Sequence, residues 1–190
     1  MLLDLIRPFA YVTIKHRSRA PQLVNWTIPA ASTLLVIGLV WASGVRVDMF
    51  GSSGVVSRVL GFVQSLAGFY IAALAAIATF NSPDMDRPMP GEAPTMRIRY
   101  QGGTSTVKVT RRRFLSVMFA YLTALSLLLT LGSIAALAFA DPVAAYLSDD
   151  LRGVLKLVLS FTYLLTLAQM TCVTFWGLFY LGERIHTPDT

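Results

Sequence analysis

The sequence predicts an all-α membrane protein: four transmembrane helices, with a small cytoplasmic β-hairpin inserted between the second and third. Three observations predict it. Only 14% of the 190 residues are charged and 55% are apolar, whereas about a quarter of an ordinary soluble domain is charged. The apolar residues gather in four blocks, each long enough to cross ~30 Å of hydrocarbon at ~1.5 Å per helical residue. The one long polar stretch between them, 81–113, carries seven of the sixteen Lys and Arg residues and in its second half alternates at the strand period.

Residues 1–23 form a basic N-terminal segment with Arg7, Lys15, Arg17 and Arg19. Leu2, Leu5, Ile6, Phe9 and Val12 recur at helical spacing, which suits an amphipathic segment lying in the headgroup region. Pro8 interrupts regular helix there, so a short or broken one is expected. The first span is placed at 24–44, with Trp26 and Trp41 at its two ends, where aromatic rings favour the interface. Its basic flank and its length fit a signal anchor better than a cleaved signal peptide ending at Ala42.

A Gly/Ser turn at 51–54 leads to the second span, 59–80, closed by Asn81-Ser82-Pro83-Asp84. Gly61, Ser65, Gly68, Ala72, Ala75, Ala76 and Thr79 form a ladder of small residues in this span. In lipid such residues let backbones approach closely, so this helix is expected to be the packing centre of the bundle or of a homo-oligomer.

The polar stretch divides in two. Pro83, Pro88, Pro90, Gly91 and Pro94 make its first half irregular. In the second half, 96–110, Met96, Ile98 and Tyr100 alternate with Arg97 and Arg99, and Val107 and Val109 alternate with Lys108 and Thr110. With Gln101-Gly102-Gly103-Thr104 as the turn, this is a hairpin signal. An isolated hairpin is marginal in water and needs something to lie against. The third span is placed at 114–140, with Thr110 as an N-cap and Asp141-Pro142 as its stop. An acidic connection carrying Asp149 and Asp150 then leads to the fourth span, 154–182, and a polar tail, 183–190. Gln169, near the middle of that span, should face another helix, because an unsatisfied amide in lipid is costly.

Orientation follows from counting. Segments 1–23, 81–113 and 182–190 hold twelve Lys and Arg residues; Arg46, Arg58, Arg152 and Lys156 are the four on the other side. The positive-inside rule then makes both termini and the hairpin cytoplasmic in a bacterial inner (plasma) membrane.

Chemistry is hard to find. Cys172 is the lone cysteine, which excludes an intrachain disulfide and a multi-thiolate metal site; in the last span it reads as a small buried hydrophobe. His16 and His186 lie in polar flanks. No zinc-protease, nucleophile-elbow or phosphate-loop motif is present, and Asp84 with Asp86 is a thin basis for a metal. The span interiors hold no ionisable group of the kind that coupled transport uses. No catalytic residue, metal or cofactor is expected, and no direct nucleic-acid binding.

The residues left for function are Arg97, Arg99, Tyr100, Lys108, Arg111, Arg112 and Arg113, for contact with a protein partner or anionic lipids. Positive-inside charge alone also explains the arginine triplet. Gly61, Ser65, Gly68, Ala72, Ala76 and Gln169 are left for helix packing. The alternative class is an oligomeric channel or permeability effector, built from Ser126, Thr130, Ser133, Thr162, Thr166 and Gln169.

With its opening MLLDLIRPFAYVTIKHR, its four spans and its RIRYQGGTSTVKVTRRR segment, the chain resembles the membrane subunit of the Kiwa bacterial anti-phage defence system. The resemblance implies a membrane sensor that holds a cytoplasmic, DNA-binding effector at the envelope. It implies no catalytic residues.

Overall fold

The computed structural model describes residues 7–14, 20–45, 47–79, 83–89, 94–100 and 103–184. Four helices in it are long and apolar enough to cross a membrane. A 3₁₀ helix, Arg7–Thr13, comes first, and the one-turn helix α1 (Ala20–Gln22) leads through a π-helical turn, Leu23–Thr27, into α2 (Ile28–Ser43). The other long helices are α3 (Val55–Thr79), α4 (Arg111–Ala145) and α5 (Asp149–Phe179). Between α3 and α4 lie the strands β1 (Thr95–Tyr100) and β2 (Gly103–Lys108).

Each boundary has a local cause. At the start of α2, Pro29 has no N–H to offer the preceding turn, and the Ile28 N–H bonds to the Leu23 carbonyl in π-helical register. The α2–α3 loop is a compact cap. Asp48 accepts a bond from the Gly51 N–H at 3.0 Å, and the N–H groups of Val55 and Val56 bond to the carbonyls of Asp48 and Met49, each at 3.0 Å. A Cβ at Gly54 would lie 2.9 Å from both of those carbonyl oxygens, so this turn requires glycine there.

The helices run longer than their apolar blocks. α3 starts at Val55 rather than Val59, because the loop cap already satisfies its first N–H groups. Asp141-Pro142 does not stop α4, which continues to Ala145 with Pro142 inside its last turn. The carbonyl left without a partner there is close to the end of the helix, where water can reach it. Asp149 and Asp150 form the first turn of α5 rather than a connection, and their carboxylates complement its dipole. Thr110 does cap α4: its Oγ1 accepts from the Arg113 N–H at 3.3 Å.

The hairpin is antiparallel, and its register pairs Tyr100 with Gly103 and Met96 with Val107. Gly103 and Thr104 therefore belong to β2 rather than to the turn, and residues 101–102 lie outside the described set. The support an isolated hairpin needs comes at its base. Val109 donates to the Pro94 carbonyl at 2.9 Å, Met89 to Val109 at 3.3 Å, and Arg111 to Arg87 at 3.2 Å. Met85, Met96 and Val109 are buried in the same apolar core as Phe114 at the start of α4.

The centre of the bundle is α4, not the second span. Its buried residues fall in two stripes at 3–4-residue spacing, one including Phe114, Met118, Tyr121, Leu125 and Leu129, the other including Leu115, Phe119, Leu122, Ser126 and Ser133. α3 and α5 both pack on α4, and α2 packs on α5. α3 meets α4 through Val56, Val63, Ala67, Tyr70 and Ile77, all buried. Polar bonds cross the seams: Ser126 Oγ donates to the Val63 carbonyl at 2.6 Å, and Tyr70 shares a hydrogen bond with Thr174 at 2.6 Å. Gly177 of α5 brings the α4 side chains close, since a Cβ there would lie 2.7 Å from Met118 Cε.

The N-terminal segment is packed rather than laid in lipid over its described part. Tyr11 stacks on Tyr121 with ring centroids 5.2 Å apart, and Phe9 meets the same ring edge-on at 5.8 Å. Tyr11 also donates to Asn25 Oδ1 at 3.2 Å, and burial pushes its pKa up to about 12, which keeps the hydroxyl a neutral donor. Tyr11 and Ile14 are buried while Val12 is exposed. Leu2, Leu5, Ile6, Lys15, Arg17 and Arg19 lie outside the described residues.

Gly177→Leu forces a side chain into Met118 and should destabilise the detergent-solubilised protein by about 1–3 kcal/mol. Gly38→Leu, with open space around its Cβ, should change stability by less than about 0.5 kcal/mol. Thermal unfolding of the two variants against the parent checks the contrast.

Candidate interaction surfaces

The Arg triplet separates into three roles. Arg111 is only 3% exposed, so it presents no open surface to a partner or a lipid. Arg112 grips the Asp86 carboxylate with both arms of its guanidinium, Nε to Oδ1 at 2.8 Å and Nη2 to Oδ2 at 3.1 Å. Its third nitrogen, Nη1, donates to the Ile77 carbonyl at 2.7 Å. Arg113 is half-buried and Lys108 exposed.

Arg112 resolves a conflict visible in the sequence. Basic residues oppose the dipole at a helix N-terminus. Ile77, however, lies in the last turn of α3, where carbonyls lack intrahelical partners and a cation is favoured. One guanidinium thus ties the end of α3 to the start of α4 and to the loop between them. Asp86 is accordingly a structural anion, not half of a metal site. Its hydrogen bond to Arg112 holds its carboxyl below the ordinary 3.8. No group of three potential metal-binding residues occurs among the described residues.

The hairpin extends beyond this anchored base. Arg97, Arg99 and Tyr100 lie on β1 by backbone register, and their side chains fall outside the described set. The sheet is two-stranded, which leaves strand edges to which another chain can add.

A second surface runs down α3. Gly61, Ser65, Gly68, Ala72, Ala75, Ala76 and Thr79 are all exposed, and an added Cβ at Gly61 or Gly68 meets nothing within 4 Å. The ladder therefore does not pack the chain's own bundle. It forms a trough beside Phe62 and Phe69, which are 60% and 68% exposed. Gln64, the one carboxamide in α3, sits on this outer side and is exposed too. Gln64 is not among the packing residues that small-residue spacing singles out, although a lone strongly polar residue inside an apolar block is itself a signal.

Gln169 is buried in α5 with its Nε2 lacking a hydrogen-bond partner, and Cys172 is half-buried. Of the polar residues of the channel alternative, Ser133, Thr162 and Thr166 line one open cavity between α4 and α5, while Ser126, Thr130 and Gln169 do not. Ser126, Thr130 and Ser133 are buried inside the chain, and Ser126 and Ser133 donate to the carbonyls of Val63 and Leu129. Thr162 is exposed, and Thr166 donates back to the Thr162 carbonyl at 2.8 Å.

The Asp86–Arg112 pair gives the loop an acid limit. Because the folded pKa is depressed, its stabilisation is present above the ordinary carboxylate range and is lost as pH falls through the lowered value. Amide exchange at Met89 and Arg111 should accelerate across that acid window in the parent protein. In Asp86→Asn the exchange should already be faster at neutral pH and lose that step. Compared with known proteins, the chain matches no family model, no curated protein and no solved structure.

Proposed function

We propose that this chain is a non-enzymatic membrane anchor and sensor subunit that self-associates through α3 and recruits a soluble effector through its hairpin. The observation that carries the reading is the hairpin's attachment. Its base is buried in the bundle core and hydrogen-bonded to the 87–89 loop, while its strands leave edges for a partner. A hairpin fixed in this way can transmit a change in helix packing to whatever is docked on it.

Charge distribution supports a cytoplasmic hairpin and cytoplasmic termini in a bacterial inner membrane. The effector is then a cytoplasmic protein. By the resemblance to the Kiwa membrane subunit it is a DNA-binding one, acting in anti-phage defence. Arg97, Arg99, Tyr100 and Lys108 are its proposed contacts, with Arg113 nearest the lipid headgroups.

Self-association is supported by the exposed ladder together with Gln64. Helices in lipid gain no hydrophobic drive on pairing, so association depends on close backbone approach and interhelical hydrogen bonds. Small residues at alternating four- and three-residue steps give the first. A carboxamide, which can both donate and accept, gives the second when it meets its own copy.

Two experiments test the two halves separately. Arg97→Glu with Arg99→Glu should abolish capture of the soluble partner from gently solubilised membranes while membrane insertion stays normal; undiminished capture would remove the docking role. Gly61→Ile with Gly68→Ile should shift the purified protein from oligomer to monomer in light scattering. An unchanged mass would place the self-association surface elsewhere.

A further inference from the structure

Two adjoining cavities open on the side of α4 and α5, at the end of the bundle opposite the hairpin. The outer one, of about 310 Å³, has Asp48, Asp141, Arg152 and Lys156 in its walls. The inner one, of about 330 Å³, is walled largely by apolar side chains such as Leu125, Leu128 and Leu129, with Gly132, Ser133, Thr162, Tyr163 and Thr166 also in its wall. Phe50, Ala136 and Leu159 belong to both, so the two form one groove. Along α5 it runs from Arg152 to Thr166, roughly 21 Å at 1.5 Å per residue. That is the depth of one leaflet, about half of a ~30 Å hydrocarbon core, plus its headgroup layer.

The groove changes chemistry along its length as a phospholipid does. Its inner part presents mostly leucine side chains; the hydroxyls of Ser133 and Thr166 there are already bonded to the carbonyls of Leu129 and Thr162, and Thr162 and Tyr163 bring two more. Its mouth carries charges of both signs: Arg152 and Lys156 lie one helical turn apart on α5, with Asp141 on α4 and Asp48 on the loop. None of these four makes an ion pair among the described residues. Two cations and two carboxylates in one mouth, not bonded to each other, complement a headgroup that itself carries both signs. Asp48 is partly engaged by the Gly51 N–H, which leaves Asp141 as the carboxylate free to accept.

We infer that this groove binds one zwitterionic aminophospholipid from the leaflet opposite the hairpin. The phosphate sits at Arg152 and Lys156, the ammonium donates to Asp141, and an acyl chain fills the inner cavity as far as Gly132. Ammonium N–H donors matter here: a choline headgroup has the same charges but cannot hydrogen-bond to the carboxylate. An anionic glycerol headgroup satisfies the basic pair and leaves Asp141 repelled.

Native mass spectrometry of the full-length, detergent-solubilised protein tests this. Phosphatidylethanolamine, phosphatidylcholine and phosphatidylglycerol of identical acyl chains are titrated in turn. The expected result is one phosphatidylethanolamine per chain, bound about tenfold more tightly than either of the others. Asp141→Asn should remove the preference over phosphatidylcholine while binding persists, and Lys156→Gln should weaken both. Gly132→Leu, whose side chain enters open space, should exclude all three. Equal binding of the three lipids, a preference for phosphatidylglycerol, or undiminished binding by a folded Gly132→Leu would each overturn the assignment. If Gly132→Leu fails to fold, the Asp141 and Lys156 variants decide it.

Discussion

The Arg112 guanidinium is the interaction on which the hairpin end of the molecule depends. It bonds to a carboxylate in the loop and to a free carbonyl at the end of α3, from a position in the first turn of α4. Without it the end of α3 would lack that partner, and the 83–89 loop would lose its charged tether to α4. The other arginines of the triplet then find their places: Arg111 passes into the core and Arg113 stays at the rim. A run that reads as three equal positive charges is thus three side chains with different surroundings, because successive residues on a helix point about 100° apart.

Within the membrane the controlling constraint is the loss of water as a hydrogen-bonding partner. The chain meets it in part by placing hydroxyls where they reach carbonyls, as Ser126 reaches Val63 across the α3–α4 seam, whereas Thr130 Oγ1 and Gln169 Nε2 are buried without a partner. The α4–α5 seam relies on close approach instead, with Gly177 admitting Met118. α4 carries both seams, so it is buried on two sides while α2 stays largely exposed. The small residues of α3 have no part in this packing, and that is why they stand out as a second surface. A trough of glycine and alanine beside exposed phenylalanines, with the Gln64 carboxamide beside it, leaves dispersion contact and an amide hydrogen bond unrealised in a single chain.

The three outward features are well separated. The hairpin projects at one end, the ladder lies along one helix, and the lipid-shaped groove opens at the other end between α4 and α5. Any change in how α4 and α5 pack would alter the groove, and the hairpin base shares its core with the first turn of α4. One continuous helix, α4, thus links the two ends: its first turn shares the core of the hairpin base and its far half walls the groove.

The sequence by itself determined the class of the protein, its four spans, its hairpin, the N-cap at Thr110 and the burial of Gln169. These follow from quantities that are local in the chain: apolar block length, period-two alternation and capping chemistry. It also drew the last three spans starting too late and ended the third too early, because apolarity marks hydrocarbon depth whereas a helix continues as long as its backbone bonds are met, through Pro142 at the end of α4 and from Asp149 at the start of α5. Only the tertiary structure decided which face of each helix turns inward. Glycine and alanine at four-residue spacing are equally compatible with an inner seam and an outer one, and Val63, Tyr70 and Ile77 took the inner side of α3. The same holds for charge: Asp86 and Arg112 are 26 residues apart, and nothing in the spacing of a proline-rich loop announces that they meet. Sequence patterns fix what each segment is, since that depends on near neighbours; partners across the fold depend on relative placement, which no single segment contains.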